Sequence, residues 1–239
     1  MTEPIEAILF DFGGTLDADG VAWKERFYGH YRAEGLDMTP AAFESAFFAA
    51  DDALVGSLPV ETDLSGTVYE LTTNLDAELA GHGAGVAKEG TSGRGRRVAS
   101  HFLSDASAAI ARNRPVLEAL SGRYRLGIVS NFYGNLEAVC HGTGLAALFA
   151  AIVDSHRVGA RKPDPEIFRA ALEPLRATPE TTLLVGDSLR RDREGARRMG
   201  MRFIWIAPRD MQASGAQLSG PLPDHSVVAR VGDLAKILL

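Results

Sequence analysis

Apolar residues recur along this chain at two spacings, and the spacing changes twice. Residues 5–10 are mostly apolar and stop abruptly at Asp11, with Gly13 and Gly14 close behind. That run predicts a buried strand ending at a carboxylate. From residue 21 to about residue 110 the period is helical. Trp23, Phe27, Tyr28 and Tyr31 share one face; Phe43, Phe47, Ala50 and Leu54 share another behind a Thr39-Pro40 start. Leu64, Val68, Leu71, Leu75 and Leu79 continue the pattern, and a further helix runs from Arg97 through Phe102 to Ile110. Stripes of this kind are helix-packing faces.

After Pro115 short helices alternate with short β-rich runs. The pattern predicts a helix over 116–120, a strand over 124–129 ending at Ser130-Asn131, a helix over 136–141 and a strand at 152–153. It continues with a helix over 165–175, a strand over 183–185 closing on Gly186-Asp187, and a helix ending near Met199-Gly200. Strands over 203–206 and 227–228 and a terminal helix over 234–239 complete it. Alternating strands and helices imply a parallel sheet with right-handed crossovers. The expected fold class is therefore α/β: a doubly wound, Rossmann-like core formed by 1–17 and 112–239, with an α-helical cap, 18–111, inserted after the first strand. Such an insert would hang over Asp11 as a lid. Within it, 81–95 is glycine-rich and aperiodic and reads as a loose connection carrying Lys88 and Arg94.

Composition narrows the class further. A hydrophobic content of 46% with 23% charged residues suits a soluble globular protein. A formal net charge of -6 gives no sign of a nucleic-acid partner or an anionic membrane surface. Cys140 is the only cysteine, which excludes an internal disulfide and a multi-thiolate metal site. Neither a secretory signal nor a bilayer-length apolar run is evident, so the expectation is a cytoplasmic protein, monomer or homodimer.

Polar groups fall at four strand ends: Asp11; Ser130-Asn131; Lys162 within Arg161-Lys162-Pro163-Asp164-Pro165; and Asp187 with Asp192. Each alone has a plain structural reading, as an acidic turn, turn chemistry, an exposed residue before proline, or a helix start. Their order along the predicted sheet is what points to chemistry, because ligands collect beyond the carboxyl ends of parallel strands.

Taken together these segments resemble the haloacid dehalogenase-like hydrolases, in the branch with a helical cap after the first strand. Asp11-Phe12-Gly13-Gly14-Thr15-Leu16 resembles the first family motif, Ser130-Asn131 the second, Lys162-Pro163 the third, and Gly186-Asp187-Ser188 through Asp192 the fourth. The resemblance implies a Mg2+-dependent hydrolase of small phosphorylated metabolites with Asp11 as nucleophile. It places the metal on Asp11, the Gly13 carbonyl and Asp187, with Asp192 and Ser188 behind them. It assigns Ser130, Asn131, Lys162, Gly14 and Thr15 to the substrate, with Lys162 offsetting the negative charge that opposes attack by a carboxylate.

One position departs from the family pattern. Two residues after the nucleophile its phosphatases usually carry a second Asp, an acid/base group; here that residue is Gly13. Asp17, Asp19, Glu25 and His30 are the nearby replacements, Asp17 doubling as a helix cap. An aspartate restored at 13 is expected to raise turnover. Alternatively the substrate has a leaving group that needs no acid, or the chain is a binding or regulatory protein on a retired hydrolase fold. The 2-haloacid dehalogenases also lack the second Asp, but the Gly186-Asp187 pair departs from their pattern.

Overall fold

The computed structural model describes residues 3–81, 93–208 and 225–239. Its centre is β1 (Ala7–Phe10), all four residues of which are buried. β1 pairs in parallel with β2 (Arg125–Ser130) on one side and β4 (Thr182–Gly186) on the other, with Phe10 opposite Ile128 and Val185. β3 (Ala151–Asp154), β5 (Arg202–Ile206) and β6 (His225–Val228) extend the sheet to the order β3-β2-β1-β4-β5-β6, every pairing parallel. Chain order reverses direction across β1, and that leaves a crevice at its carboxyl end.

Side chains alternate across a strand, and β1 shows how the layers form. Ile8 and Phe10 join an apolar cluster with Leu117, Leu120, Leu136 and Leu234, whereas Ala7 and Leu9 join a second with Ile167, Phe168 and Leu172. The first cluster belongs to the side of α4 (Arg94–Ser121) and α5 (Leu136–Gly142). The second belongs to α7 (Pro165–Leu175), with α8 (Glu194–Met199) beside it. A short α6 (Ser155–Val158) follows β3, and α9 (Ala235–Leu238) ends the chain. α7 starts as its sequence predicts, with Pro165 first and Asp164 Oδ1 accepting from Glu166 N at 2.9 Å.

Between β1 and β2 the chain inserts α1 (Trp23–Ala33), α2 (Pro40–Leu54), α3 (Leu64–Gly81) and α4. Their stripes pack together as expected: the Phe27 and Phe102 rings stack at 4.3 Å, and the Arg26 guanidinium lies 3.9 Å from the Phe102 ring centre. The expected break at Pro115 is absent. α4 is one helix across the 111/112 boundary, because Ile110, Val116, Leu117 and Leu120 continue the buried face of Phe102 and Ala106. Proline costs a helix one hydrogen bond and some strain, and burial of that long face outweighs it. The terminal helix is likewise shorter than expected, a tight turn over Val231–Leu234 followed by α9. Strand ends differ from the sequence reading by at most two residues. Most of the glycine-rich connection, Lys88 included, lies outside the described residues. No helix among the described residues is long and apolar enough to cross a membrane.

Candidate active site

Four strand ends deliver their polar groups to the crevice. β1 places Asp11 there, its N–H donating to Val185 O at 2.9 Å. Ser130, at the end of β2, donates from Oγ to Asp11 Oδ1 at 2.7 Å. Lys162 Nζ sits 2.7 Å from the same Oδ1 and 2.6 Å from Asp192 Oδ1. Asn131 fixes Lys162 by its backbone, accepting from Lys162 N at 2.8 Å and donating to Lys162 O at 3.3 Å. The Asn131 side chain is thus a clamp on the lysine segment. Asp192 Oδ2 accepts from Ser188 N at 3.0 Å, and any side chain at Gly186 would put its Cβ 2.3 Å from that Oδ2.

Asp11, Asp187 and Asp192 each bring a carboxylate oxygen within 4.8 Å of the others. One ammonium, Lys162, pairs with two of them and acts on Asp187 only through space. Burial works against the charge on Lys162, yet Asp11 and Asp192 outweigh it and hold its pKa above the ordinary lysine value. Burial, followed by repulsion from Asp11 and Asp192, pushes the Asp187 carboxyl well above the usual range. Asp192 is raised too, chiefly by burial, with Lys162 opposing. The cluster is short of positive charge, and its oxygen-only donor set fits a hard divalent cation.

The loop after Asp11 explains both glycines. It makes one wide turn over Phe12–Leu16, closed by Asp17 N on Phe12 O at 3.4 Å. Gly14 has φ +89°, and a Cβ there would lie 2.4 Å from Asp187 Oδ2, so only glycine lets Asp187 approach. Gly14 N is committed to Asp17 Oδ1 at 2.7 Å, and the Thr15 hydroxyl is fully buried. Both were expected on the substrate; neither lines the cavity above Asp11. At Gly13 a Cβ would meet Trp23 Nε1 at 3.1 Å and Cδ1 at 3.3 Å. The indole crowds the position where the family's second aspartate would stand, so an aspartate at 13 does not fit without moving Trp23. The indole would have to give by a few tenths of an ångström, which opposes the gain expected from restoring it.

Of the named replacements, Asp17 is no helix cap. It is fully buried, accepting from Trp23 Nε1 at 2.7 Å and Arg26 NH1 at 2.8 Å, while Ala22 precedes α1. Asp19 pairs with Arg112 at 2.8 Å and His30 with Asp105 at 3.2 Å. Glu25 reaches the cavity but pairs with Lys24 at 3.2 Å.

The cavity has a volume of 880 Å³, with Asp11, Gly13, Ser130, Asn131, Lys162, Asp187 and Ser188 at its floor. Sequence reading missed three features of its walls. Trp23 registered only as part of a stripe. Asp51, on α2, accepts a very short hydrogen bond from Tyr133 Oη; burial pushes its carboxyl pKa up despite that bond and the positive charges of Arg191 and Arg161. Arg161, Arg190 and Arg191 line the mouth beside the exposed ring of Phe48. Asp51 sits one residue beyond Ala50 of the helical stripe, a polar residue at the edge of an apolar face, and no local signal marks what it faces.

A family model described as a haloacid dehalogenase-like hydrolase matches residues 5–200. The human haloacid dehalogenase-like hydrolase domain-containing protein 3 is 30% identical over 186 residues, covering 74% of this chain and 72% of that one. A phosphoserine phosphatase of Thermus thermophilus is 39% identical over 102 residues, 41% of this chain, and the match spans only 36% of the relative's length. Among solved structures, the magnesium-bound hydrolase YfnB of Bacillus subtilis superimposes with a TM-score of 0.56 at 18% identity, over 99% of both chains. That last likeness is one of fold.

Proposed function

The chain belongs to the haloacid dehalogenase-like hydrolases, and from that membership we propose that it is a Mg2+-dependent phosphatase of small phosphorylated metabolites, with Asp11 as nucleophile. One observation carries this reading. The donors Ser130 Oγ and Lys162 Nζ both converge on Asp11 Oδ1, which fixes the carboxylate at the cavity floor beside two more carboxylates.

In this scheme an Asp11 oxygen attacks phosphorus, the ester P–O bond breaks, and water later hydrolyses the aspartyl phosphate. Lys162 stays protonated and offsets the charge that accumulates on Asp11 and the phosphoryl oxygens. Ser130 and the Asn131 backbone orient the phosphoryl group; Asn131 also keeps Lys162 in place. Asp11, Asp187 and the Gly13 carbonyl would hold the metal, with Asp192 and Ser188 behind them, and the ion supplies the positive charge that the carboxylate cluster lacks. Helices α1–α3 and the first half of α4 act as the cap over this floor.

Glycine at position 13 leaves it without an acid, and a positioned acid/base is worth about 10²–10⁴-fold. Substrates whose leaving group departs unprotonated, such as acyl phosphates, phosphoanhydrides or aryl phosphates, are therefore favoured over simple alkyl esters. The test is phosphate release from a panel of alkyl, aryl and acyl phosphates, with magnesium and with chelator. Release that needs the metal and favours good leaving groups is expected. Halide release from 2-haloacids with no phosphate release from any ester overturns the assignment.

A further inference from the structure

Resting on the phosphatase reading, we propose that the mouth of the cavity binds a second anionic group on the leaving side of the substrate, through Arg161, Arg190 and Arg191. The cations at the cavity divide into spent and unspent. Lys162 is consumed by Asp11 and Asp192, and Lys24 by Glu25 at 3.2 Å and Glu44 at 2.9 Å. The three arginine side chains have neither a hydrogen bond nor an ion pair among the described residues, although all three line the cavity. In a chain with a net charge of -6, three unpaired guanidinium groups at one opening are a local field opposed to the global one.

Their backbones are tied down while their heads remain available. Asp164 N donates to Arg161 O at 2.8 Å, and Arg191 N donates to Ser188 Oγ at 3.2 Å. Arg161 is the neighbour of Lys162, and the other two follow Asp187-Ser188, so the strand ends that hold the phosphoryl site also fix the arginines. Of the carboxylates lining the cavity, Asp51 feels Arg191 and Arg161 as charges but approaches neither to within 4.0 Å, and the Tyr133 hydroxyl already occupies it. Of the other carboxylates on the cavity, Asp11 is held by Lys162 and Glu25 by Lys24, and Asp187 belongs to the cluster at the floor, so the guanidiniums are the cavity's cations with no paired carboxylate among the described residues. The geometry of Arg suits a carboxylate or phosphate held by paired N–H donors, and Phe47, Phe48 and Val55 on the α2 side offer an apolar wall to the carbons between the two anions.

The test is calorimetric binding to the magnesium-loaded protein of three uncleavable three-carbon phosphonates, with neutral (propylphosphonate), carboxylate (3-phosphonopropanoate) and ammonium (3-aminopropylphosphonate) tails. The carboxylate tail is expected to bind about tenfold tighter than the neutral one, as a charge-assisted contact allows. That ratio should fall towards one in Arg161→Ala/Arg191→Ala and shrink with added salt. Equal binding of the two, retention of the ratio in the double variant, or tightest binding of the ammonium tail through Asp51 overturns the proposal. Release of phosphate from p-nitrophenyl phosphate is measured in parallel. Its absence removes the phosphatase reading, whereas release with no preference among tails removes only the anion site.

Discussion

At the floor of the cavity Lys162 is dry and held between two carboxylates; at the mouth, Arg161, Arg190 and Arg191 are exposed and hold nothing. The two regions lie a few residues apart in sequence yet use charge in opposite ways. Charges removed from water interact strongly and with fixed geometry, so the floor can be preorganised for one reaction centre. Its excess of carboxylate also leaves it demanding a cation. Charges left in water interact weakly with the protein and remain available, so the mouth can answer to a ligand. Asp51 marks the border, a desolvated carboxyl that meets a tyrosine rather than a cation.

Each region can be broken separately. Asp11→Asn is expected to give the largest effect, lowering phosphate release by roughly 10⁴-fold or more, as loss of a nucleophile does. A folded variant that still releases phosphate at the original rate contradicts the nucleophile assignment. Lys162→Met leaves Asp11 and Asp192 without their ammonium, and urea unfolding should show a loss of about 3 kcal/mol. Added magnesium should stabilise this variant more than the parent protein, a difference a purely steric defect would not show.

Gly13→Asp tests the wall between floor and helices. With Trp23 Nε1 only 3.1 Å from the new Cβ, the variant should lose about 1–3 kcal/mol and gain no turnover. Higher turnover at unchanged stability would show that the indole moves aside easily. Asp51→Asn should have a smaller effect of opposite sign. Burial raises the Asp51 carboxyl above its ordinary 3.8, so its contribution to stability is full below that pH and is lost as pH rises through the raised value. The amide, which can still accept from Tyr133, should be at least as stable near neutrality and show a flatter stability–pH curve above pH 4. Arg190→Ala, at the mouth, should change stability by less than about 0.5 kcal/mol.

Much of the fold was legible because its signals are local. The uninterrupted apolar run into Asp11, the β–helix alternation after residue 115 and the Thr39-Pro40 and Asp164-Pro165 starts all act within a few residues. Pro115 misled for the same reason. Its local penalty is real, but the buried face running from Phe102 to Leu120 decides the outcome over five turns of helix. Gly14 and Thr15 share their motif with Asp11, yet the loop turns one into a partner of Asp17 and buries the other.

The sequence by itself determined the strand order's raw material and the chemical types at the strand ends, because alternation, apolar runs and motif spacing are properties of neighbours along the chain. Only the tertiary structure decided that Trp23 crowds Gly13, that Asp51 meets Tyr133, and that Arg161 and Arg191 open onto the same cavity. Those juxtapositions bring together residues 10, 82 and 30 positions apart. Side-chain burial and charge depend on what the folded chain brings close, and no local period encodes it.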